Sequence, residues 1–248
     1  MLDREMGKAD QSRPELRVLR ETPYEVIVIK PAGMPSELTS DPRGVSLLSR
    51  LRRAYPPPLE PKLPHRLDRV TRGVMLVTLT QDAIAFHNEE IKARRWGKFY
   101  IARVHQPPNS DIASLIGRHK AYLKTVRHRA TIVHSGGKPS FLDILAIHPA
   151  PSHSGQVHVL VQLLTGRFHQ VRAMLAGLGI PLAGDEFYAD DGLRRQAGTG
   201  WSDFYLEHII LKYVDFELRV AQVAHLCDDP DREPVARAMK AEIEALLD

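Results

Sequence analysis

Residues 65–79 of this 248-residue chain have the sequence HRLDRVTRGVMLVTL. The second half, from Gly73 to Leu79, is continuously apolar except for one threonine, which predicts a buried strand. The first half places a single carboxylate, Asp68, among three arginines and a histidine. Nearby cations favour the ionised form, so Asp68 is expected to serve as a nucleophile or an electrostatic partner. A charged loop that ties itself down through ion pairs would have the same composition.

Other apolar patterns extend this strand into a fold prediction. Strands are predicted at residues 24–30, 98–104, 140–148 and 156–164, with one or two more within 205–218. Helices are predicted at 45–54, at 82–94, from 165 to about 177, and from 231–234 to the C-terminus. Residues 105–140 show no clear period. Because strands follow one another without regular alternation with helices, we expect an α+β protein with a mixed, largely antiparallel sheet.

The formal net charge of +4 is unevenly distributed along the chain. Residues 43–75 contain eight basic and two acidic side chains, and residues 117–142 contain six basic side chains and no acidic one. Residues 228–248 carry seven acids against three bases. Such basic regions are typical of surfaces that bind nucleic-acid phosphates, although a plain solvated face would have the same composition.

Several classes of protein are excluded or disfavoured by what the sequence lacks. Cys227 is the only cysteine, so no internal disulfide or multi-cysteine zinc site can form. The twelve histidines show no metal-ligand spacing, and no glycine-rich phosphate loop is present. No apolar run approaches the roughly 20 residues of a membrane-spanning helix. We therefore expect a cytoplasmic protein without a metal site.

A second segment, LTGRFHQVR at residues 164–172, follows a predicted strand. It is expected to place Arg167 in the first turn of a helix. There an arginine and the helix N-terminus can hold an anion or orient a carboxylate, although an ordinary helix start would also fit.

Together, the two segments resemble the RluA family of RNA pseudouridine synthases. That family has a His-Arg-Leu-Asp loop followed by Thr-Ser-Gly, and about a hundred residues later Thr-Gly-Arg-x-His-Gln-hydrophobic-Arg. Weaker matches occur in the same order at VIVIKPAGMPS (26–36), KFYIARV (98–104), GGKPSFLDIL (136–145) and GIPLAGDEFY (179–188). The resemblance implies a long mixed, mostly antiparallel sheet with flanking helices and a central basic cleft. It also implies a conversion of uridine to pseudouridine in RNA that needs no metal or cofactor.

The resemblance also assigns residues by position. Asp68 occupies the place of the catalytic aspartate, Tyr100 that of the active-site tyrosine, and Arg167 that of the basic residue paired with the aspartate. Arg66 resembles a residue that enters the space vacated by a flipped nucleotide. Further RNA contacts are expected from Arg69, Arg72, Lys120, Lys124 and Arg127. Leu67, Leu211 and Tyr213 are expected to line the pocket.

The sequence departs from the family pattern at two places. Arg72 stands where serine is usual, and could add a phosphate contact or crowd the loop. The family's C-terminal Leu-His-Ala signature is altered at residues 205–208, which have the sequence YLEH. These departures leave open an RNA-binding protein that has kept the fold and lost activity. A carboxylate-dependent nucleosidase acting on small molecules is a third hypothesis.

The expected organisation has three parts: a flexible tail at 1–15, a synthase catalytic domain at 16–226, and an acidic C-terminal helix at 227–248 packed on that domain. The expected partner is tRNA or rRNA, bound by a monomer that needs no obligatory protein partner.

Overall fold

The structure is a computed structural model that describes residues 16–38, 45–107, 110–189 and 203–247. The tail predicted at 1–15 lies outside these residues. The described strands are β1 Arg17–Glu21, β2 Glu25–Lys30, β3 Arg72–Thr78, β4 Gly97–His105, β5 Gly117–Val126, β6 Arg129–Ile132, β7 Lys138–Pro149, β8 Gln156–Leu163, β9 Leu206–Val214 and β10 Ala221–His225. The described helices are α1 Leu47–Ala54, α2 Gln81–Lys92, α3 Gln170–Gly177 and α4 Arg237–Glu244, with one 3-10 turn at Ile112–Leu115.

All ten strands belong to one sheet in the order β1-β2-β3-β9-β4-β8-β7-β5-β6, and β10 pairs with residues 210–214 of β9, beyond the short contact with β3. The short contact between β3 and β9 is parallel. The other pairings in the described part of the chain are antiparallel. The predicted α+β class with a mixed, mostly antiparallel sheet is therefore confirmed.

The central strands are continuously apolar because both faces of the sheet are covered. In β3, Met75 and Val77 belong to one core cluster, whereas Val74 and Leu76 belong to the cluster on the other face. Successive side chains of a strand point to opposite faces, so a strand buried on both sides needs apolar residues at every position. This explains why the sequence 73–79 has no polar alternation.

Helices cover the two faces separately. Leu51 of α1 and Leu175 of α3 are buried in the cluster that contains Met75. Met239 and Ile243 of α4 are buried in the opposite cluster, as the predicted apolar face of the C-terminal helix requires. In the described part of the chain, no helix is long and apolar enough to cross a membrane.

Helix α4 begins at Arg237, several residues later than the sequence predicts. The preceding residues form turns, in which the backbone amide of Arg232 donates to the carbonyl of Asp229. Those turns place Asp229 and Glu233 in ion pairs with arginines of the sheet. The acidic composition of this region therefore reflects ion pairing with the sheet as well as a solvated helix.

Three parts of the sheet escape sequence prediction: the edge strand β1, the hairpin formed by β5 and β6, and β10, which lies beyond the strands predicted within 205–218. Most side chains of β1 and of the hairpin are exposed. Without a buried face, neither segment shows the apolar alternation from which strands are recognised. Their pairing is instead set by neighbouring strands, β2 for β1 and β7 for β5.

Gly73 is required where β3 meets β9. Its φ is +143°, and a Cβ at this position would lie 2.4 Å from the backbone oxygen of His208 and 2.6 Å from its backbone nitrogen. Glycine is the residue that tolerates both this conformation and this approach. The parallel contact between β3 and β9 therefore depends on the absence of a side chain at position 73.

We expect Gly73→Ala to destabilise the protein about 2 kcal/mol more than Gly117→Ala, measured by urea unfolding. Gly117 is a matched control because its φ of +130° imposes the same backbone strain, while its Cβ would meet nothing within 4 Å. Equal losses for the two variants would show that the approach of β9 does not require glycine.

Candidate active site

A cavity of about 550 Å³ opens on the face of the sheet that α1 and α3 cover. Residues 63–68 form one part of its wall, residues 166–172 form another, and Lys98 and Tyr100 of β4 contribute between them. The basic side chains in the lining outnumber the acidic ones, which are Glu37 and Asp68. The two sequence segments singled out for chemistry therefore meet at one basic cavity.

The Asp68 loop is fixed by a buried hydroxyl on the turn after β2. The Oγ of Ser36 donates to the carbonyl of Leu67 at 2.7 Å and accepts from the amide of Leu67 at 3.1 Å. One side chain thus satisfies both backbone groups of the residue before Asp68. Leu67 itself is buried and lines the cavity, as expected from the sequence.

Lys30 anchors the other side of this loop. Its buried ammonium donates to the carbonyls of Pro31 at 2.9 Å, Met34 at 2.8 Å and Arg69 at 3.3 Å. Burial lowers the pKa of Lys30 to about 7, while the negative charge of Asp68 acts to raise it. The segment that ends β2 therefore holds the loop on both sides of the aspartate.

The cation nearest to Asp68 is Arg172. Its Nη1 lies 3.6 Å from Oδ2 of Asp68, and Nε2 of His169 lies 3.8 Å from the same oxygen. Arg167 lines the cavity but is exposed, and within the described residues it forms no ion pair with Asp68. The structure thus corrects the expectation that Arg167 pairs with the aspartate.

The correction has a local cause, since α3 begins at Gln170 and not at 165. His169 adopts a left-handed conformation with φ of +50°, which turns the chain just before the helix. Arg167 therefore precedes the helix, with its amide donating to Oε1 of Gln170 at 3.0 Å. Arg172, inside the first turn, is directed at the aspartate.

A second carboxylate holds Arg172 in place. Its Nε and Nη2 donate to the two oxygens of Asp185, both at 2.8 Å, and Asp185 is completely buried. Burial opposes the charge of Arg172, yet the hydrogen bonds and charge of Asp185, with the charge of Asp68, raise its pKa. Arg172 is therefore a fixed cation, oriented by a bidentate pair.

His169 connects Arg172 to the β5–β6 hairpin. Burial lowers the pKa of His169, and Nη1 of Arg172 donates to its Nε2 at 3.1 Å. The neutral ring then carries its proton on Nδ1, which lies 3.1 Å from the Tyr188 hydroxyl. That hydroxyl also accepts from the amide of Ala130 in β6 at 2.8 Å. The hairpin and the cavity thus share one hydrogen-bonded chain.

Tyr100 lies at the buried end of the cavity. Its ring stacks on His208 of β9 with centroids 4.6 Å apart, and burial together with the charge of Asp68 raises its pKa. Burial lowers the pKa of His208 to about 3, and its Nδ1 donates to the carbonyl of Val74 at 2.7 Å. At neutral pH both rings are uncharged, so Tyr100 presents a phenol.

Two arginines that the sequence predicts to contact RNA, Arg66 and Arg69, lie on either side of Asp68 in the loop. Arg66 is exposed at the cavity and pairs with Glu37 at 2.7 Å, an exposed contact that RNA could displace at small cost. Arg69 is also exposed, and its Nε donates to the carbonyl of Gly33 at 3.0 Å.

Arg72 is not available to RNA in this structure. Its guanidinium pairs with Glu207 and, at 2.8 Å, with Asp229, and both carboxylates are buried. Arg72 and Glu207 occupy facing positions where β3 pairs with β9. The expected RNA contact from Arg72 is thus corrected. Arg72 and Glu207, one residue from each of the two departures from the family pattern, form an ion pair outside the cavity lining, whereas Leu206 of the segment 205–208 lines the cavity.

Leu211 and Tyr213 are also misassigned by the sequence. Both are buried in the core cluster on the opposite face of the sheet from the cavity. The Tyr213 hydroxyl accepts from Nη1 of Arg20 at 2.7 Å, so its polar end is directed at β1. Leu206, five residues before Leu211 along β9, is the residue of that strand that lines the cavity.

The basic residues expected at 117–142 lie apart from the cavity lining. Lys120 and Lys124 are exposed on β5, and Arg127 is exposed in the turn to β6 with φ of +46°. Among the described residues, no cluster of three or more histidine, cysteine, aspartate or glutamate side chains is arranged to hold a metal ion.

Sequence reasoning missed Arg172, His169 and Lys98 as residues of the site. Arg172 and His169 are in the same quoted motif as Arg167, so the motif located the wall correctly but not the side chain that faces Asp68. Lys98 precedes Tyr100 by two residues and shares its face of β4; burial lowers its pKa. The two-residue spacing between Lys98 and Tyr100 could have indicated from the sequence that Lys98 also faces the cavity.

The chain belongs to the RNA pseudouridylate synthase family, whose sequence profile matches residues 24–177. This span contains the Asp68 loop, Tyr100 and the Arg172 segment. The protein is accordingly an RNA pseudouridine synthase of the RluA type, an isomerase that modifies RNA.

Among similar proteins, the dual-specificity RNA pseudouridine synthase RluA of Escherichia coli (strain K12) is 30% identical over 198 residues, which cover 77% of this chain and 87% of the relative. Ribosomal large subunit pseudouridine synthase D of Pseudomonas aeruginosa is 30% identical over 181 residues, covering 70% of this chain and 53% of that protein. The structure of human RNA Pseudouridylate Synthase Domain Containing 1 superposes with a TM-score of 0.71 at 21% identity, covering 94% of each chain. This last likeness supports the fold.

We expect Ser36→Ala to lower the free energy of unfolding by about 1 to 3 kcal/mol, because the buried amide and carbonyl of Leu67 lose their partner. Pseudouridine formation should fall as well, since the loop carrying Asp68 loses an anchor. Ser114→Ala is the control, because its exposed hydroxyl donates only to the nearby carbonyl of Asp111. Urea unfolding and product assays on both variants make the comparison. Unchanged stability in Ser36→Ala would contradict the anchoring role.

Proposed function

We propose that this synthase isomerises a specific uridine in a structured tRNA or rRNA, with Asp68 as the catalytic nucleophile. One observation carries the assignment: Asp68 is the carboxylate that faces Arg172 across a basic cavity, beside the buried ring of Tyr100. The names of the relatives, one a dual-specificity enzyme and one a large ribosomal subunit enzyme, support an RNA substrate of this kind.

The proposed reaction exchanges one bond of the uridine for another. Asp68 attacks the nucleotide or assists departure of the uracil as the bond between C1′ and N1 breaks, and any bond that its carboxylate forms to the nucleotide is broken again before the product leaves. The base then reorients, C5 bonds to C1′, and the proton leaves C5 while N1 gains one. Atoms and electrons balance within the substrate, so no redox cofactor is required.

Arg172 is proposed to position Asp68 and to place a fixed positive charge beside its carboxylate. We place Tyr100 against the uracil ring. Its raised pKa keeps it a phenol, so it packs on the base and relays the C5 proton without holding a negative charge. Arg167, exposed at the wall, is assigned to a phosphate of the RNA.

The target nucleotide must leave its stack before the glycosidic bond becomes accessible. A cavity of about 550 Å³ is within the usual range for ligand sites, so it can receive a flipped uridine. We propose that Arg66, exposed at this cavity, enters the space that the nucleotide vacates, where its planar guanidinium can stack. Arg69, Lys120, Lys124 and Arg127 are proposed to contact phosphates.

Loss of activity with retention of the fold is the less favoured alternative. It rests on Arg72 and on the altered signature at 205–208, but Arg72 and Glu207 neutralise each other in an ion pair outside the cavity lining, and Leu206 of the altered segment lines the cavity. We propose that the enzyme acts as a monomer without an obligatory protein partner.

We expect Asp68→Asn to abolish pseudouridine formation while RNA affinity stays within a few-fold, because the amide keeps the shape but cannot act as a nucleophile. The measurement is pseudouridine mapping in RNA from cells lacking the protein, after complementation with wild type or the variant. A site that disappears in the deletion and returns with wild type alone identifies the substrate. Restoration by Asp68→Asn would refute the catalytic assignment.

Arg172→Gln should lower the single-turnover rate at least about 100-fold with little change in RNA affinity, because it removes a charge fixed beside the reacting carboxylate. Arg167→Gln, the matched control in the same wall, should weaken RNA binding and flatten its salt dependence while the rate on bound RNA is retained. Arg172→Lys should recover part of the rate if charge alone matters, and thermal unfolding of each variant checks the fold. The reverse ranking of the two glutamine variants would restore Arg167 as the partner of Asp68.

A further inference from the structure

A second concave surface lies beside the active site, between the β5–β6 hairpin and the C-terminal end of α3. We call it the hairpin groove, and it encloses about 410 Å³. Tyr122 and Ile132 of the hairpin line it from one side and are 39% and 44% exposed. Met174 and Leu178 at the end of α3 line it from another. The mechanism described above uses none of these four side chains.

The close packing of α3 on the hairpin shapes this groove. A Cβ at Gly177 would lie 2.3 Å from Cδ1 of Ile132, so the glycine lets the helix end approach β6. The walls that result are mainly apolar and include one exposed aromatic ring, that of Tyr122. Apolar walls around an exposed aromatic ring suit a flat, partly apolar ligand such as a nucleobase.

The charge around the groove favours a nucleic acid over a protein or a free apolar molecule. Residues 117–142 contain no acidic side chain. The ammonium of Lys120 lies 5.0 Å from the centroid of the Tyr122 ring and 5.8 Å from that of Phe141. A cation beside an aromatic platform is the combination with which proteins bind single-stranded nucleic acid, the cation for the phosphate and the ring for the base.

Two structural elements connect the groove to the active site. Helix α3 begins at the cavity with Gln170 and ends at the groove near Leu178, a span of about 12 Å along the helix. Phe141, which Lys120 overlies, accepts a hydrogen bond at its carbonyl from Nε2 of Gln170 at 2.9 Å. An RNA strand with its target uridine in the cavity can therefore pass Lys120 and reach the groove within a few nucleotides.

We propose that the hairpin groove binds the base of a nucleotide a few positions from the target uridine, stacked on Tyr122 with its phosphate at Lys120. The proposal rests on the proposed function, since it takes the occupant from the same RNA. It assigns substrate recognition to a contact with a base as well as to the phosphate charge of the backbone.

The test compares two fluorescent single strands of about 12 nucleotides, an oligoadenylate and an abasic strand with the same backbone. Tyr122→Leu should weaken oligoadenylate binding about tenfold, leave binding of the abasic strand unchanged, and preserve the salt dependence of both. Tyr122→Phe should bind like wild type. Lys124→Gln should weaken both strands alike and reduce the salt dependence.

Unchanged oligoadenylate affinity in Tyr122→Leu would overturn the proposal, and an equal loss on both strands would assign this face to phosphates alone.

Photocrosslinking of the unmodified protein to an oligoadenylate carrying azidoadenine gives a result independent of any variant. Crosslinks should map to β5, β6 or the end of α3, and crosslinks confined to the cavity would contradict the groove. Because neither strand contains uridine, these outcomes are independent of whether Asp68 catalyses the reaction.

Discussion

Two buried polar side chains fix the backbone around Asp68, and the geometry of the site depends on them. Ser36 satisfies both backbone groups of Leu67, and Lys30 binds the carbonyl of Arg69, so Asp68 is held between two anchored neighbours. Both anchors come from the segment that ends β2, which is itself paired with the strand that follows the loop. The loop is therefore held against β2 by these hydrogen bonds, and the chain continues from it directly into β3, the strand that pairs with β2. These hydrogen bonds fix the position of the Asp68 carboxylate, although the surrounding residues 65–72 are mostly charged and polar.

The opposite wall relies on a similar constraint, a buried bidentate ion pair. Asp185 takes two donors of Arg172, which leaves Nη1 to face both Asp68 and His169. Removing either carboxylate would leave a guanidinium only partly compensated in a buried setting, which is costly. The pair also connects the cavity to the hairpin, because His169 contacts the Tyr188 hydroxyl, which accepts a hydrogen bond from the amide of Ala130.

The departures from the family pattern become intelligible only as a pair. Arg72 alone suggests an extra phosphate contact, and Glu207 alone suggests a damaged signature. In the structure they face each other across the parallel contact of β3 and β9, and Arg232 and Asp229 complete the same ionic network. The C-terminal segment is thereby tied to the start of β3. Arg72 and Glu207 therefore change the ion pairing between β3 and β9, and neither residue lines the cavity.

The sequence by itself determined the class of fold, most central strands and the two segments that line the cavity, because continuous apolar runs and short motifs are local properties. It identified Asp68 and Tyr100 at the cavity, where the structure also places them. It could not determine which arginine of residues 164–172 faces Asp68. That depends on a left-handed turn at His169 and on Asp185, thirteen residues beyond Arg172. Tertiary structure alone decided the exposed hairpin and the burial of Tyr213, since pairing with distant strands and coverage of the opposite face leave no periodic trace in the local sequence.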